Sequence, residues 1–188
     1  MLFLSACASI PADVADLQGL NRSVELGDTP FFPQRQFQCG PAALATALSS
    51  SGATVDLQEL VDRVYLPGKR GSLQVEMLAA TRTAGRLPYV IDGTLQVLWD
   101  ELTAGRPVIV LQNLGIAAIP RWHFAVVIGI DAERDRVILR SGVDHRRLTS
   151  LTTFLRTWRR SNFWGFVVLR PTELPTRVDR LRYLKSIA

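Results

Sequence analysis

The sequence is poor in the side chains that hold metals, with two cysteines and two histidines among 188 residues. None of these four lies at metal-ligand spacing from another, so we expect no metal, and no motif indicates a cofactor. A run of roughly 18 apolar residues, the length that a membrane-spanning helix needs, is also missing. Internal repeats and low-complexity segments are absent. The sequence therefore excludes zinc-binding, helical-membrane and repeat architectures.

The composition is that of a globular protein, with 47% hydrophobic and 21% charged residues. The length suits one domain with a sizeable core. The net charge of +5 is concentrated in the second half of the chain, which favours an anionic partner or a solvated basic face. No nucleic-acid recognition motif accompanies the charge, so we expect no nucleic-acid partner.

Helix signals come first along the chain, and strand signals dominate later. A polar residue or proline begins each early helix and a glycine follows it, as in the segment from Pro41 to Gly52. This order predicts an α+β domain with an antiparallel sheet. The predicted helices are 41–51, 56–64, 72–84, 94–104 and 149–159, with a short terminal helix in 172–188. The predicted strands are 87–91, 107–111, 123–131, 136–141 and 164–171.

Cys7 stands in the N-terminal sequence LSAC, which resembles the lipobox of bacterial lipoproteins. Only six residues precede it, so we interpret residues 1–30 as a truncated lipoprotein signal followed by a tether. The lipobox resemblance implies a lipid anchor on Cys7. Because no aspartate follows Cys7, the resemblance further implies the periplasmic side of a bacterial outer membrane.

Cys39 lies in the sequence QFQCGPAALATAL, at the start of the predicted 41–51 helix. A helix N-terminus lowers the pKa of a thiol, which a nucleophilic cysteine needs, and Gly40 would let a substrate approach the backbone. The second requirement is an imidazole. His145 falls in the charged segment DHRR, which we predict to be an exposed loop, whereas His123 opens the apolar strand HFAVVIGID. His123 is therefore the predicted partner of Cys39.

An upstream glutamine, the sequence QCGPAAL and a histidine that opens an apolar strand together resemble a known family. They are similar to the papain-like peptidases that cut bacteriocin leaders after double glycine, and especially to stand-alone relatives found as bacterial lipoproteins. The resemblance covers about residues 31–170 and implies a papain-like fold, with N-terminal helices packed on an antiparallel sheet. It places the peptidase domain at 31–171 and a helical extension at 172–188.

The resemblance also implies a role for each residue of the site. Cys39 matches the nucleophile and His123 the general base and acid. Gln34 matches the glutamine that helps to hold the oxyanion, together with the backbone N–H of Cys39. Gln36 and Gln38 are rival candidates, because the family's usual gap between this glutamine and the cysteine is about one residue longer.

The third catalytic position departs from the family, which has Asp or Asn at the end of the strand after the histidine strand. Ser141 occupies the aligned position here, and a serine stabilises an imidazolium less well because it has no charge. Asp144 and the more distant Asn113 are alternative candidates. Trp122, beside the histidine, is predicted to wall the substrate cleft, to which Asn113 and Gly40 also belong.

The expected function is hydrolysis of peptide bonds in a periplasmic peptide or protein, after small residues such as Gly-Gly. The alternative is a catalytically inactive module that binds a peptide or protein partner at the outer membrane, which the serine at position 141 favours. Lipoprotein relatives often continue into helical repeats, so a helical-repeat protein is a further expected partner. The glycine-rich basic segment 66–72 lacks the P-loop order and is predicted to be a surface turn.

Overall fold

The computed structural model describes residues 23–33 and 38–187. Cys7, Gln34 and Gln36 therefore lie outside the described residues, as does most of the predicted tether. In the described ranges, none of the helices is both long enough and apolar enough to cross a membrane.

The described chain forms each predicted helix and strand, together with two strands that were not predicted. The helices are α1 (Cys39–Ser50), α2 (Leu57–Val64), α3 (Gln74–Thr83), α4 (Leu95–Thr103), α5 (Leu151–Arg159) and α6 (Arg180–Ile187), with a 3-10 turn at Pro67–Lys69. The strands are β1 (Ser23–Glu25), β2 (Leu87–Val90), β3 (Val108–Asn113), β4 (Trp122–Asp131), β5 (Arg136–Ser141), β6 (Asp144–Ser150) and β7 (Gly165–Leu169).

Helix α1 begins at Cys39, two residues before the predicted start. Pro41 is tolerated inside its first turn, because the N–H groups of that turn have no partner within the helix. The helix ends before Gly52, whose φ of 79° is the left-handed conformation that closes a helix. Every residue from Gly40 to Leu48 is buried, because α1 packs between the sheet and helices α2 and α3.

The starts of α2 and α3 differ in how well the sequence predicts them. The carboxylate of Asp56 accepts hydrogen bonds from the backbone N–H groups of Gln58 and Glu59, as expected of an N-cap. Ser72 does not cap α3, which begins two residues later at Gln74 without a side-chain cap. The Ser72 hydroxyl instead lies buried, without a hydrogen-bond partner among the described residues.

All the strands pair antiparallel in the order β2-β7-β3-β4-β5-β6, and β1 pairs with the end of β4. Two strands are corrections to the sequence analysis. The segment around His145 is strand β6 rather than the predicted loop. Most of its residues are exposed and polar, so it lacks the alternation of apolar and polar residues that identifies a strand. Strand β1 lies within the segment that we assigned to the tether.

Helices cover both faces of the sheet. Alternate residues of the central strands face opposite layers: Ile109 and Val126 contact the core under α1–α3, whereas Val108 and Val127 contact the core under α4 and α5. The N-terminal helices thus pack on an antiparallel sheet, as predicted. This packing brings the start of α1 against the start of β4, since Cys39 packs on the same core as Phe124.

The C-terminal segment is fixed along the edge of the sheet at β2. The Tyr89 hydroxyl donates to the carbonyl of Arg177 and accepts from the N–H of Asp179. The buried carboxylate of Glu101 accepts from the backbone N–H and hydroxyl of Thr176 and pairs with Arg106. These contacts hold α6, the expected terminal helix, against β2.

Candidate active site

A cavity of about 980 Å³ lies where α1 meets β4, and both Cys39 and His123 line it. These two side chains are 84 positions apart in the sequence, and the packing of α1 on the sheet brings them to one cavity. The walls come from three segments of the chain, which are Lys69–Gln74, Pro120–Phe124 and Arg160–Asn162, with Leu111 beneath them.

Cys39 is a free, half-buried thiol at the first position of α1. Burial raises its pKa, and the nearby backbone N–H groups of Phe124, Gly40 and Cys39 itself only partly offset this effect. The N–H groups at the helix N-terminus lower the thiol pKa, as expected, but burial raises it by more. The cavity wall excludes water from the sulfur, and this desolvation disfavours the thiolate more than the N–H groups favour it.

His123 lies at the second position of β4 and is half-buried. Burial lowers its pKa to about 4, and the positive charges of Arg147 and Arg121 act in the same direction. The imidazole is therefore uncharged at neutral pH. With a protonated thiol beside the same cavity, the resting pair is neutral and is not a thiolate and imidazolium.

Ser141 holds His123 in place. Its hydroxyl oxygen lies 2.8 Å from Nε2 of the imidazole, at the end of the strand that pairs with β4. We had expected this bond at Nδ1, whereas the observed bond is at Nε2. The alternative that Asp144 is the third catalytic group is wrong, because its exposed carboxylate pairs with Arg147 at 3.4 Å. Of these two candidates, Ser141 makes the bond to the imidazole.

Asn113 holds a loop. Its side-chain oxygen accepts hydrogen bonds of 2.9 Å from the backbone N–H groups of Gly115 and Arg121, and only 4% of the residue is exposed. The sequence analysis had allowed Asn113 as the third catalytic group or as a substrate ligand. These contacts contradict both roles. The bonds fix the segment that leads into β4, where Trp122 is 54% exposed and lines the cavity as expected.

Gly40 does not line the cavity and instead packs against Ser72. A Cβ built at position 40 would lie 2.5 Å from the Cβ of Ser72 and closer still to its hydroxyl oxygen. The glycine therefore permits close packing between α1 and the segment before α3. The expected approach of substrate to the backbone at position 40 is wrong.

We expect Gly40→Ala to lower the free energy of unfolding by about 1–3 kcal/mol, because the added methyl group overpacks this contact. Chemical denaturation followed by circular dichroism measures the effect. Gly27→Ala is the matched control, since a Cβ at Gly27 meets nothing within 4 Å. Equal stability of the two variants would contradict the tight contact with Ser72.

The sequence analysis missed two walls of the cavity. The segment 66–72 is a 3-10 turn closed by a bridge between Leu66 and Gly71, and its side chains from Lys69 onward line the cavity. The glycine-rich, basic composition of this segment was the feature of the sequence that could have identified it as part of the site. The wall formed by Arg160, Ser161 and Asn162 follows α5 and carries no motif that could have identified it.

Gln38 is the one candidate glutamine that lies within the described residues. It precedes α1, and its backbone carbonyl accepts the N–H of Ala42 at 3.3 Å. Its side chain makes no capping hydrogen bond to the helix. The choice among the three glutamines therefore stays a prediction from the sequence.

Known proteins share this fold. A C39-like peptidase from Bacillus anthracis superposes with a TM-score of 0.66 at 17% identity, covering 81% of this chain and 100% of that one. The peptidase domain of Streptococcus ComA, a bifunctional ABC transporter of a quorum-sensing pathway, gives 0.59 at 20% identity, covering 76% and 98%. A double glycine motif protease from an AMS/PCAT transporter, in complex with the leader peptide, gives 0.55 at 18% identity, covering 76% and 91%.

These likenesses confirm the predicted papain-like α+β fold. No match is found among curated protein sequences. Among protein families, the Peptidase_C39 like family matches residues 27–165, which is more than half of the chain and includes both Cys39 and His123. The protein therefore belongs to the Peptidase_C39-like family, as the resemblance of its sequence motifs predicted.

Proposed function

We propose that the protein is a cysteine peptidase that hydrolyses peptide bonds through an acyl-thioester. The observation that carries this proposal is the placement of Cys39 and His123 on one cavity, with the imidazole bound to Ser141 at 2.8 Å. A thiol and an imidazole held by a third group are the components of nucleophilic acyl transfer.

The reaction starts from the neutral pair. As the sulfur of Cys39 attacks the peptide carbonyl, its proton passes to Nδ1 of His123, while Nε2–H donates to the Ser141 hydroxyl. The imidazolium then gives this proton to the leaving amine, and the C–N bond breaks to leave a thioester. Water attacks the thioester with His123 again as the base, which releases the new carboxyl terminus and restores the thiol.

The oxyanion of the tetrahedral intermediate needs hydrogen-bond donors. The backbone N–H of Cys39 is one candidate, because the first N–H groups of a helix have no partner within it. The side-chain amide of Gln34 is the second donor that we propose, by analogy with the family. Gln36 and Gln38 remain its rivals.

The proposed substrate is a peptide or protein with small residues such as Gly-Gly before the bond that is cut. Support comes from the AMS/PCAT protease, a double glycine motif enzyme that was solved with its leader peptide. The lipid anchor on Cys7, the periplasmic location and a helical-repeat partner stay proposals from the sequence. Metabolic labelling with a palmitate analogue would test the anchor.

The second candidate function is an inactive module that binds a peptide in the same cavity. The neutral resting pair favours it, because burial raises the pKa of the Cys39 thiol and lowers that of His123 to about 4. A neutral serine at the third position adds to this support. A pure binder, however, has no use for a thiol and an imidazole on one cavity.

A peptide library separates the two functions. We expect the protein to cut peptides that contain Gly-Gly, with new termini after the second glycine identified by mass spectrometry. Matched peptides with Leu-Leu in place of Gly-Gly should be cut at least about tenfold more slowly, since extra side-chain bulk is rejected by a narrow cleft. Binding of the Gly-Gly peptides without any cleavage would support the inactive module instead.

A further inference from the structure

The walls of the cavity carry charge of one sign. Four of the side chains that line the cavity are basic, and among the described lining residues none is acidic. The basic residues are Lys69, Arg70, Arg121 and Arg160. A cavity with low-dielectric walls and charge of one sign concentrates ligands of the opposite sign.

The four basic residues belong to three separate segments that line the cavity. Lys69 and Arg70 end the 3-10 turn, whose backbone is fixed by a hydrogen bond from the Arg70 N–H to the Pro67 carbonyl. Arg121 comes directly before β4 and Arg160 directly after α5. Because Cys39 and His123 line the same cavity, a peptide bound there meets basic groups from each of these segments.

Acidic side chains neutralise arginines elsewhere in the protein but not in this cavity. Ion pairs join Arg63 to Glu59 and Arg146 to Glu25, for example. Within residues 23–33 and 38–187, no carboxylate forms an ion pair with any of the four basic residues of the cavity. Arg160 does donate to the carbonyl oxygens of Asn113 and Gly115, which satisfies its N–H groups without cancelling its charge.

We propose that the cavity selects acidic peptides, whose carboxylates lie against the basic side chains of Lys69, Arg70 and Arg121. The shared chemistry is a peptide carboxylate, either of Asp and Glu side chains or of the C-terminus. This inference rests on the proposed function in one respect, which is that the peptide binds in the same cavity. A carboxylate beside Arg121 would also offset the charge repulsion that disfavours the imidazolium of His123, so an acidic substrate would assist its own proton transfer.

The experiment measures binding rather than cleavage. Peptides that carry Gly-Gly flanked by glutamates, and matched peptides with glutamine in their place, are labelled with an uncharged dye. Their affinity for Cys39→Ala protein is then measured by fluorescence anisotropy. We expect the Glu peptides to bind more tightly, and this preference to decrease with added salt because salt screens exposed charges.

Three substitutions in the cavity and one control outside it locate the effect. Arg121→Gln and Lys69→Gln should each weaken binding of the Glu peptides about two- to fivefold and leave the Gln peptides unchanged. Arg134→Gln is the matched control: it removes an equal charge at the far end of β4, where Arg134 pairs with Asp131. Arg121→Glu should reverse the preference in favour of the Gln peptides. Circular dichroism confirms that each variant folds.

The remaining comparisons identify which carboxylate is recognised and test this inference separately from the proposed function. If amidation of the C-terminus weakens binding while Glu→Gln changes do not, the recognised carboxylate is terminal. The inference would be overturned if Glu and Gln peptides bound equally well and amidation of the C-terminus changed nothing. It would also be overturned if Arg134→Gln weakened binding of the Glu peptides as much as Arg121→Gln does. Acidic selectivity without cleavage by the wild-type protein would support the inference and contradict the peptidase.

Discussion

Replacement of Cys39 with alanine is expected to lower the rate of peptide hydrolysis at least about a thousandfold, because the nucleophile is lost. His123→Ala should cause a loss of similar size, since the thiol is mostly protonated at rest and needs the imidazole to take its proton. The two losses should not add in the double variant, because both groups act in one step. Cleavage of a Gly-Gly peptide, followed by mass spectrometry, measures all three rates.

The second histidine provides a matched control for this prediction. His145 lies exposed on β6, where its ring meets the edge of Phe31 and its backbone carbonyl accepts a hydrogen bond from Arg140. His145→Ala should therefore leave the cleavage rate within about twofold of wild type, since surface changes have small effects. Full activity in His123→Ala, or loss of activity in His145→Ala alone, would contradict the assignment of the base.

Substitutions of Ser141 should change both the rate and the pH dependence of cleavage. Ser141→Ala removes the 2.8 Å bond to Nε2, and a neutral bond of this kind contributes about 1 kcal/mol, so we expect about a fivefold lower rate. Ser141→Asp places a carboxylate against Nε2–H, which favours the imidazolium. We therefore expect the pKa of His123 to rise from about 4 in this variant.

The sign of the pH effect follows from the role of the imidazole as base. In the wild type, kcat/KM should fall only as the pH approaches about 4, where the imidazole becomes protonated. In Ser141→Asp this acid limb should move to higher pH. Iodoacetamide should also alkylate Cys39 faster at pH 7, because the imidazolium stabilises the thiolate. An unchanged acid limb and alkylation rate would show that position 141 does not influence the imidazole.

The meeting of Cys39 and His123 at one cavity could be predicted because the signals of both residues are local. A cysteine before a Gly-Pro pair and an apolar run marks the start of α1, and a histidine before alternating apolar residues marks the start of β4. The position of Ser141 follows from the length of β5, which the sequence predicts without error. Each of these features depends on a few neighbouring residues and on the regular spacing of apolar residues in the helix or strand that contains them.

The features that escaped prediction depend on residues far apart in the sequence. The pKa of Cys39 is raised by burial, and burial depends on how α1 packs on the sheet. The contact between Gly40 and Ser72 joins α1 to the segment before α3, 32 positions further along the chain, and no local pattern indicates it. Strand β6 was missed for another reason, since its charged residues are exposed along almost its whole length and show no alternation.

The sheet ends at β2 and β6. An uncovered edge presents unpaired backbone groups, to which an extended peptide can add as a new strand. Strand β6 presents Arg146 and Arg147, charges that oppose strand addition. Recognition by backbone pairing is thus disfavoured at the β6 edge, whereas the proposed binding of a peptide in the cavity depends on its side chains.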